Sequence, residues 1–269
     1  MKHNLGEYYD RSADFQKTQF DRLVNLMKSN MNVSDVRHML DIGSGSGART
    51  YSMLDVCTNI MRLDAIEPDP EMISVAREKY AHDKISYHLA SAENLIRAVG
   101  DLDVNYDLIF MNWSVHWIQN KEKLLSDIDD ISTNSPYLAI STCERLPEIL
   151  MDVDEYVRQV LMLPPSTEYP WFYLDDHGWQ SLLQQAGWRI IKSEPLSVDH
   201  YVDDARQYME HWFAASTSKF LYGRQMEELS DLSFNDLVWF IEQKYPHPEK
   251  PGGLYFKEDA IFILAQKES

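Results

Sequence analysis

The sequence predicts an α/β protein: a doubly wound seven-stranded sheet, its last strand antiparallel, with helical lid insertions. Three observations predict it. Short apolar runs alternate with segments of helical periodicity through the first half of the chain, the pattern of parallel βαβ units. A glycine-rich turn follows the first of those runs directly. A strongly apolar run, Asp259 to Gln266, closes the chain and supplies a late strand that completes the sheet when inserted antiparallel.

Each element has a local reason. Phe15 to Met31 places apolar groups at helical spacing and gives a helix before the sheet. Arg37 to Ile42 reads as a short buried strand, and the segment through Tyr51 and Met53 as the helix after the glycine turn. Arg62 to Ile66 is a second strand. Asp69 to Tyr80 is a helix with Asp69 as N-cap and Pro70 at its first position. Ile85 to Leu89 and Tyr106 to Asn112 are strands, Glu122 to Ile131 a helix, and Tyr137 to Thr142 a fifth strand. The sum is a Rossmann-like sheet. Regularity then breaks, at Pro147, Pro164, Pro165 and Pro170 with Trp171, Phe172 and Tyr173. A helix (Gly178 to Ala186) and a strand (Trp188 to Lys192) follow, and residues 203 to 245 are again helical and aromatic. Residues 1–269 are expected to form one domain, with lid insertions at approximately 144–177 and 203–250.

Composition narrows the function classes. Hydrophobic residues make up 44% and charged residues 25%, the balance of a globular protein with ample core. No apolar run reaches the roughly 18 to 20 residues of a membrane span. The first residues lack an apolar signal core, and Cys57 and Cys143 lie far apart, so the expectation is a cytoplasmic chain without a disulfide framework. The net charge of -18 argues against nucleic acid and anionic membranes as partners. His82, His88, His200 and His211 lack metal-ligand spacing, so no metal is expected. The oligomeric state is not legible.

The sharpest motif is Asp41-Ile42-Gly43-Ser44-Gly45-Ser46-Gly47 at a strand end. Glycines there allow positive φ and let the backbone approach a ligand closely, while the following helix offers free N–H groups. Glu67, 20 residues beyond Gly47 and followed by Pro68, stands past the second strand, where a carboxylate can take both ribose hydroxyls. Gly43, Gly45 and Ala48 also fit the dinucleotide pattern G-x-G-x-x-A. Asp41 separates the two ligands: beside a pyrophosphate its carboxylate would repel, whereas S-adenosylmethionine carries an ammonium and a sulfonium. The cofactor expected is S-adenosylmethionine.

These residues resemble the class I methyltransferases. Leu40 to Gly47 matches the family's first motif and Glu67 its acidic second-strand end. The resemblance implies adenine contacts from Ser91, Ala92 and Glu93, with Ser91 standing where Asp is commoner, and a fourth-strand site at Asn112. Asn112 to Asn120 (NWSVHWIQN) is similar to the juvenile hormone acid, trans-aconitate and malonyl-carrier-protein methyltransferases, which esterify carboxylates. On that resemblance Gln16, with Gln19 as alternative, approaches the active site from the first helix. Ser135-Pro136 departs from the Pro-Gly-Gly turn usual before the fifth strand.

The expected reaction is methyl transfer to a small molecule, foremost to a carboxylate, in which the protein mainly supplies alignment. A carboxylate is already ionised at pH 7 and needs no base. His116 and Gln16 would then orient it, with Trp117 walling the pocket. For a hydroxyl or an acidic carbon His116 would be the base. Trp171, Phe172, Tyr173, Trp212 and Phe213 could enclose an apolar body, and Arg145, Arg158 or Arg224 could clamp a carboxylate. Other readings are O-, N- or C-methylation of a natural-product scaffold, an NAD-type oxidoreductase, and a non-catalytic module of the same fold.

Overall fold

A computed structural model describes residues 14–162, 164, 171–215 and 234–268, apart from the side chains of 14–16 and 213–215. Five strands, β1 (His38–Ile42), β2 (Arg62–Glu67), β3 (Ile85–Leu89), β4 (Tyr106–Asn112) and β5 (Ser132–Cys143), pair in parallel. Two more, β6 (Trp188–Val202) and β7 (Leu254–Lys267), are antiparallel, and the sheet order is β3-β2-β1-β4-β5-β7-β6. The last strand thus enters between β5 and β6. The chain order reverses at β1, which has β2 on one side and β4 on the other. At such a switch point the two crossovers diverge and leave a crevice above the strand ends.

Strand residues alternate between two apolar layers, as the pleat requires. Met39, Leu108 and Phe110 join the layer under α1 (Asp14–Asn30), α2 (Ala48–Val56) and α3 (Pro70–Lys79). Leu40, Ile109 and Met111 join the layer under α4 (Leu95–Val99), α5 (Lys121–Ile131) and α7 (Asp176–Gln185). Because both faces are covered, the central strands carry apolar residues on both, with Asp41 and Asp64 as buried exceptions. Asp69 caps α3 as its sequence implies, accepting from the amides of Glu71 and Met72 with Pro70 at the first position.

The largest differences from the sequence expectation fall in two stretches. The irregular stretch after β5 contains α6 (Glu148–Val160), a 13-residue helix capped by Pro147. The prolines lie outside it, and Ile149, Leu150, Val153 and Val157 form its buried stripe. The strand expected at Trp188 to Lys192 runs on to Val202. It lies at the sheet edge, where Pro195 forfeits no interior ladder bond and exposed polar residues mask the strand pattern. Helix α6 packs with α8 (Ala205–Ala215) and α9 (Phe234–Lys244) around a third apolar core that includes Trp171, Met209, Trp212 and Ile241.

A polar knot joins β2, β3 and β4. Asp64, fully buried, accepts from Arg62 Nε (2.6 Å), His88 Nε2 (2.7 Å) and the Tyr106 hydroxyl (2.9 Å). Burial opposes its charge, but the bonds from His88, Arg62 and Tyr106 hold its carboxyl below the ordinary value. A depressed folded-state pKa contributes stability above the unfolded value of about 4 that is lost as pH falls through the folded one. Urea unfolding should therefore show stability decreasing as pH drops below about 4, and Asp64→Asn should reduce that decrease while lowering stability at pH 7 by roughly 1–3 kcal/mol.

Candidate active site

The loop after β1 adopts three left-handed glycines, Gly43 (φ 83), Gly45 (φ 56) and Gly47 (φ 86). These values are open to glycine and costly for L side chains. The amides of Gly43 and Ser44 donate to the carbonyl of Ile66 (2.9 and 3.1 Å), which pins the loop to the end of β2. A Cβ on Gly43 would lie 2.3 Å from Cβ of Ser114, whose hydroxyl donates to the Ile42 carbonyl (2.5 Å). The loop after β1 and the loop after β4 are therefore in backbone-to-side-chain contact. Gly47 faces elsewhere: a Cβ there would meet the Tyr87 hydroxyl at 2.8 Å and Cβ of Ala76 at 2.9 Å.

A cleft of about 200 Å³ opens at the tips of β1, β2 and β4. The structure brings Gly43, Gly45, Glu67, Pro68, Ser91, Ala92, Glu93, Asn112, His116, Trp117 and Trp212 together as its lining. Glu67 Oε2 accepts from the Gly45 amide (2.9 Å) and Oε1 from the Asp69 amide (3.0 Å). Burial lifts its carboxyl to about 7 against those two bonds, with Asp69 and Asp41 adding repulsion. Asn112 Oδ1 accepts from the Ser141 hydroxyl (2.8 Å). That bond commits the amide oxygen to β5.

Other residues singled out in the sequence lie elsewhere. Asp41 does not line the cleft. It is 2% exposed, accepts from the Thr50 hydroxyl (2.6 Å), and burial raises its carboxyl to about 7. Its strand-end position in sequence becomes a place beneath the loop, because alternation turns its side chain toward α2 and Thr50. Ser44 and Gly47 are in the loop but do not line the cleft. Trp171 packs on Trp117 (5.5 Å between ring centroids) within the third core. Tyr173 stacks on His116 (5.6 Å, 24°). The side chains of Gln16 and Phe213, and all of Arg224, lie outside the described residues. Arg145 is paired with Asp259 (2.6 Å) and Arg158 with Asp154 (2.7 Å). Among the described residues no group of three or more His, Cys, Asp or Glu could hold a metal ion.

The sequence reading missed Met72, Trp113, Ser114 and His211 as cleft residues. Met72 has the signal of third place in a helix whose N-terminus faces the cleft, and Ser114 falls within the Asn112 to Asn120 motif; His211 carries no local signal. Trp113 is the bend that makes the site: at φ 60, rare for an aromatic residue, it turns the chain sharply after β4, and its amide donates to the Ser141 carbonyl (2.9 Å).

His116 follows in a single 3₁₀ turn, Val115–Trp117. It is 3% exposed, with Nδ1 3.3 Å from Thr142 Oγ1, and burial together with the nearby Lys121 ammonium drives the ring to about 3. The ring is neutral at physiological pH. The turn is fastened by Lys121, whose ammonium donates to the carbonyls of Ile118 (2.7 Å) and Phe172 (2.5 Å), and by the Phe172 amide, which donates to the His116 carbonyl (2.7 Å).

Comparison with known proteins gives a consistent picture. Residues 40–140 match the methyltransferase domain family. An uncharacterised methyltransferase of Schizosaccharomyces pombe is 23% identical over 76% of this chain and 81% of its own. A malonyl-[acyl-carrier protein] O-methyltransferase of Marinomonas is 28% identical over 58% of this chain, and the match spans 57% of that relative's length. Among solved structures, a Bacillus halodurans protein described as a methyltransferase superposes with TM-score 0.57 at 17% identity, over 92% of this chain and 99% of that one. The plantazolicin methyltransferase BpumL, crystallised with S-adenosylhomocysteine, gives 0.51 at 14% identity, over 97% and 90%. The structural likenesses establish the fold.

The glycine contact yields a direct test. Gly43→Ala should lower affinity for S-adenosylhomocysteine at least about tenfold by calorimetry, because the loop must move off Ser114. Gly187→Ala, also at positive φ (74) but with its nearest neighbour 3.6 Å away, should cost about 1–2 kcal/mol of stability and leave affinity unchanged.

Proposed function

We propose that this chain, a class I S-adenosylmethionine-dependent methyltransferase, methyl-esterifies a carboxylate of a small molecule. The cleft fits that cofactor: glycines keep the loop where a Cβ would meet Ser114, and a carboxyl beside the loop stands ready for ribose hydroxyls. Bound there, S-adenosylmethionine supplies an electrophilic methyl group on a sulfonium. Glu67 would take the ribose, with Pro68 shaping the same rim. Ser91, Ala92 and Glu93 would border the adenine, and Met72 and Ile66 would supply apolar surface. Asn112, its oxygen held by Ser141, would present its amide nitrogen to the cleft. Asp41 would act from beneath the loop, through the field of a buried carboxyl rather than by contact.

One observation carries the choice of acceptor. His116 lies at the cleft with its ring driven to about 3 by burial, so it resists the proton a general base must accept. A carboxylate arrives with no proton to lose. A neutral imidazole can still donate one hydrogen bond and hold such a nucleophile in line with the methyl group, which is how alignment lowers the barrier. The printed activity of the malonyl-[acyl-carrier protein] relatives, O-methylation, supports the same choice. Trp117 and Trp212, with Trp171 and Tyr173 behind them and Phe213 beside them in sequence, would form the apolar walls. Gln16 would approach from α1. The segments 144–177 and 203–250 would act as the lid, since α6, α8 and α9 share one core.

Incubation with a panel of small organic acids and S-adenosylmethionine should give methyl esters, recognised by mass spectrometry and by alkaline hydrolysis back to the acid. kcat should be flat between about pH 6 and 8, and His116→Ala should lower kcat/KM by about 10- to 100-fold, the worth of a hydrogen bond to a charged group. Products stable to alkali, with kcat rising through a single ionisation, would identify a hydroxyl or nitrogen acceptor and refute the proposal.

A further inference from the structure

We infer that Thr142 is a positioning residue whose hydroxyl donates to Nδ1 of His116, fixing the ring as the Nε2–H tautomer and turning a hydrogen-bond donor toward the acceptor. The inference rests on the carboxylate reading above. Thr142 stands near the end of β5 and is 1% exposed. Its Oγ1 lies 3.3 Å from Nδ1 of His116 and 3.4 Å from the carbonyl oxygen of Cys143. A hydroxyl has one proton, so these two contacts compete.

The competition has two outcomes with opposite chemistry. If the proton goes to the Cys143 carbonyl, the ring must donate from Nδ1, and Nε2 meets the cleft as a lone pair. A carboxylate oxygen brought to that lone pair finds no proton between them. If the proton goes to Nδ1, Nε2 carries the hydrogen and can bind the carboxylate. The contact to Nδ1 is the shorter of the two, 3.3 Å against 3.4 Å, and the other runs to the carbonyl of the adjacent residue. Nε2 itself makes no hydrogen bond among the described residues, so the tautomer has no second anchor.

The ring is also held against turning over. Tyr173 stacks on it at 5.6 Å, Trp117 lies at 5.3 Å and Trp113 meets it edge-on at 6.3 Å. The neighbouring Ser141 does for Asn112 what Thr142 does for His116, donating to one end of the side chain and leaving the other for the cleft. Two consecutive hydroxyl residues of β5 thus set the hydrogen-bonding sense of two cleft residues.

Long-range ¹H–¹⁵N correlation spectra of the full chain, labelled at histidine and assigned through His116→Gln, report which ring nitrogen carries the proton. Wild type should show Nε2–H at His116, Thr142→Val should shift the ring toward Nδ1–H, and Thr142→Ser should restore it. With a carboxylate acceptor, Thr142→Val should lower kcat/KM about 3- to 10-fold, leave the KM for S-adenosylmethionine unchanged, and be rescued by Thr142→Ser. An Nδ1–H ring in wild type overturns the proposal even if Thr142→Val does not fold, and so does an unchanged tautomer in a folded Thr142→Val. Failure to esterify any acid, with Nε2–H confirmed, refutes the carboxylate reading and leaves the role of Thr142 standing.

Discussion

The approach of Gly43 to Ser114 is the constraint on which the open end of the sheet depends. It allows the loops after β1 and β4 to sit side by side at the switch point, with no room for even one added carbon. Ser114 donates to the Ile42 carbonyl, so the turn bearing His116 is hydrogen-bonded directly to the end of the strand that carries the glycine loop. Everything downstream inherits that spacing. Trp113 takes a left-handed backbone to enter the turn, and Lys121 and Phe172 fasten it from outside. The Gly43–Ser114 approach thus links two segments that also have anchors of their own, the loop at Ile66 and the turn at Ser141, Lys121 and Phe172.

Burial, rather than ion pairing, sets the electrostatics of this end. Asp41 and Glu67 are both raised to about 7, and His116 is pushed down to about 3. The same cause moves acids up and bases down, because desolvation penalises whichever form is charged. Burial thus disfavours the charged forms of these three groups, within a chain of net charge -18. A cationic ligand entering the site would draw the two carboxyls back to their ionised forms, which couples binding to proton release.

The first half of the chain was legible because its strands are short, apolar and separated by capped helices. Asp69 and Pro70 announce α3, and the Asp41–Gly47 motif announces the loop. The second half was not. Prolines flank α6 and disguise it, although its own 13 residues contain none. β6 is an edge strand, and its exposed polar residues and Pro195 hide the strand pattern. At the site, the residues legible in sequence were those carried by motifs. Ser114, Trp113 and Thr142 act through contacts to residues distant in the chain, and no local pattern encodes such contacts. Asp41 shows the converse: its charge was legible, but which side of the loop it occupies depends on Thr50 in three dimensions.

On the proposed reading, the buried carboxyl of Asp41 and the half-buried one of Glu67, at the tips of β1 and β2, favour a positively charged sulfur nucleoside. Calorimetric titration with S-adenosylmethionine, repeated across pH 6 to 8 for wild type and Glu67→Gln, measures that preference most directly. Affinity should rise with pH and be accompanied by proton release, and Glu67→Gln should lose at least about tenfold with a flatter pH dependence. Binding that is indifferent to both pH and the substitution, or a dinucleotide that binds more tightly, would contradict the reading.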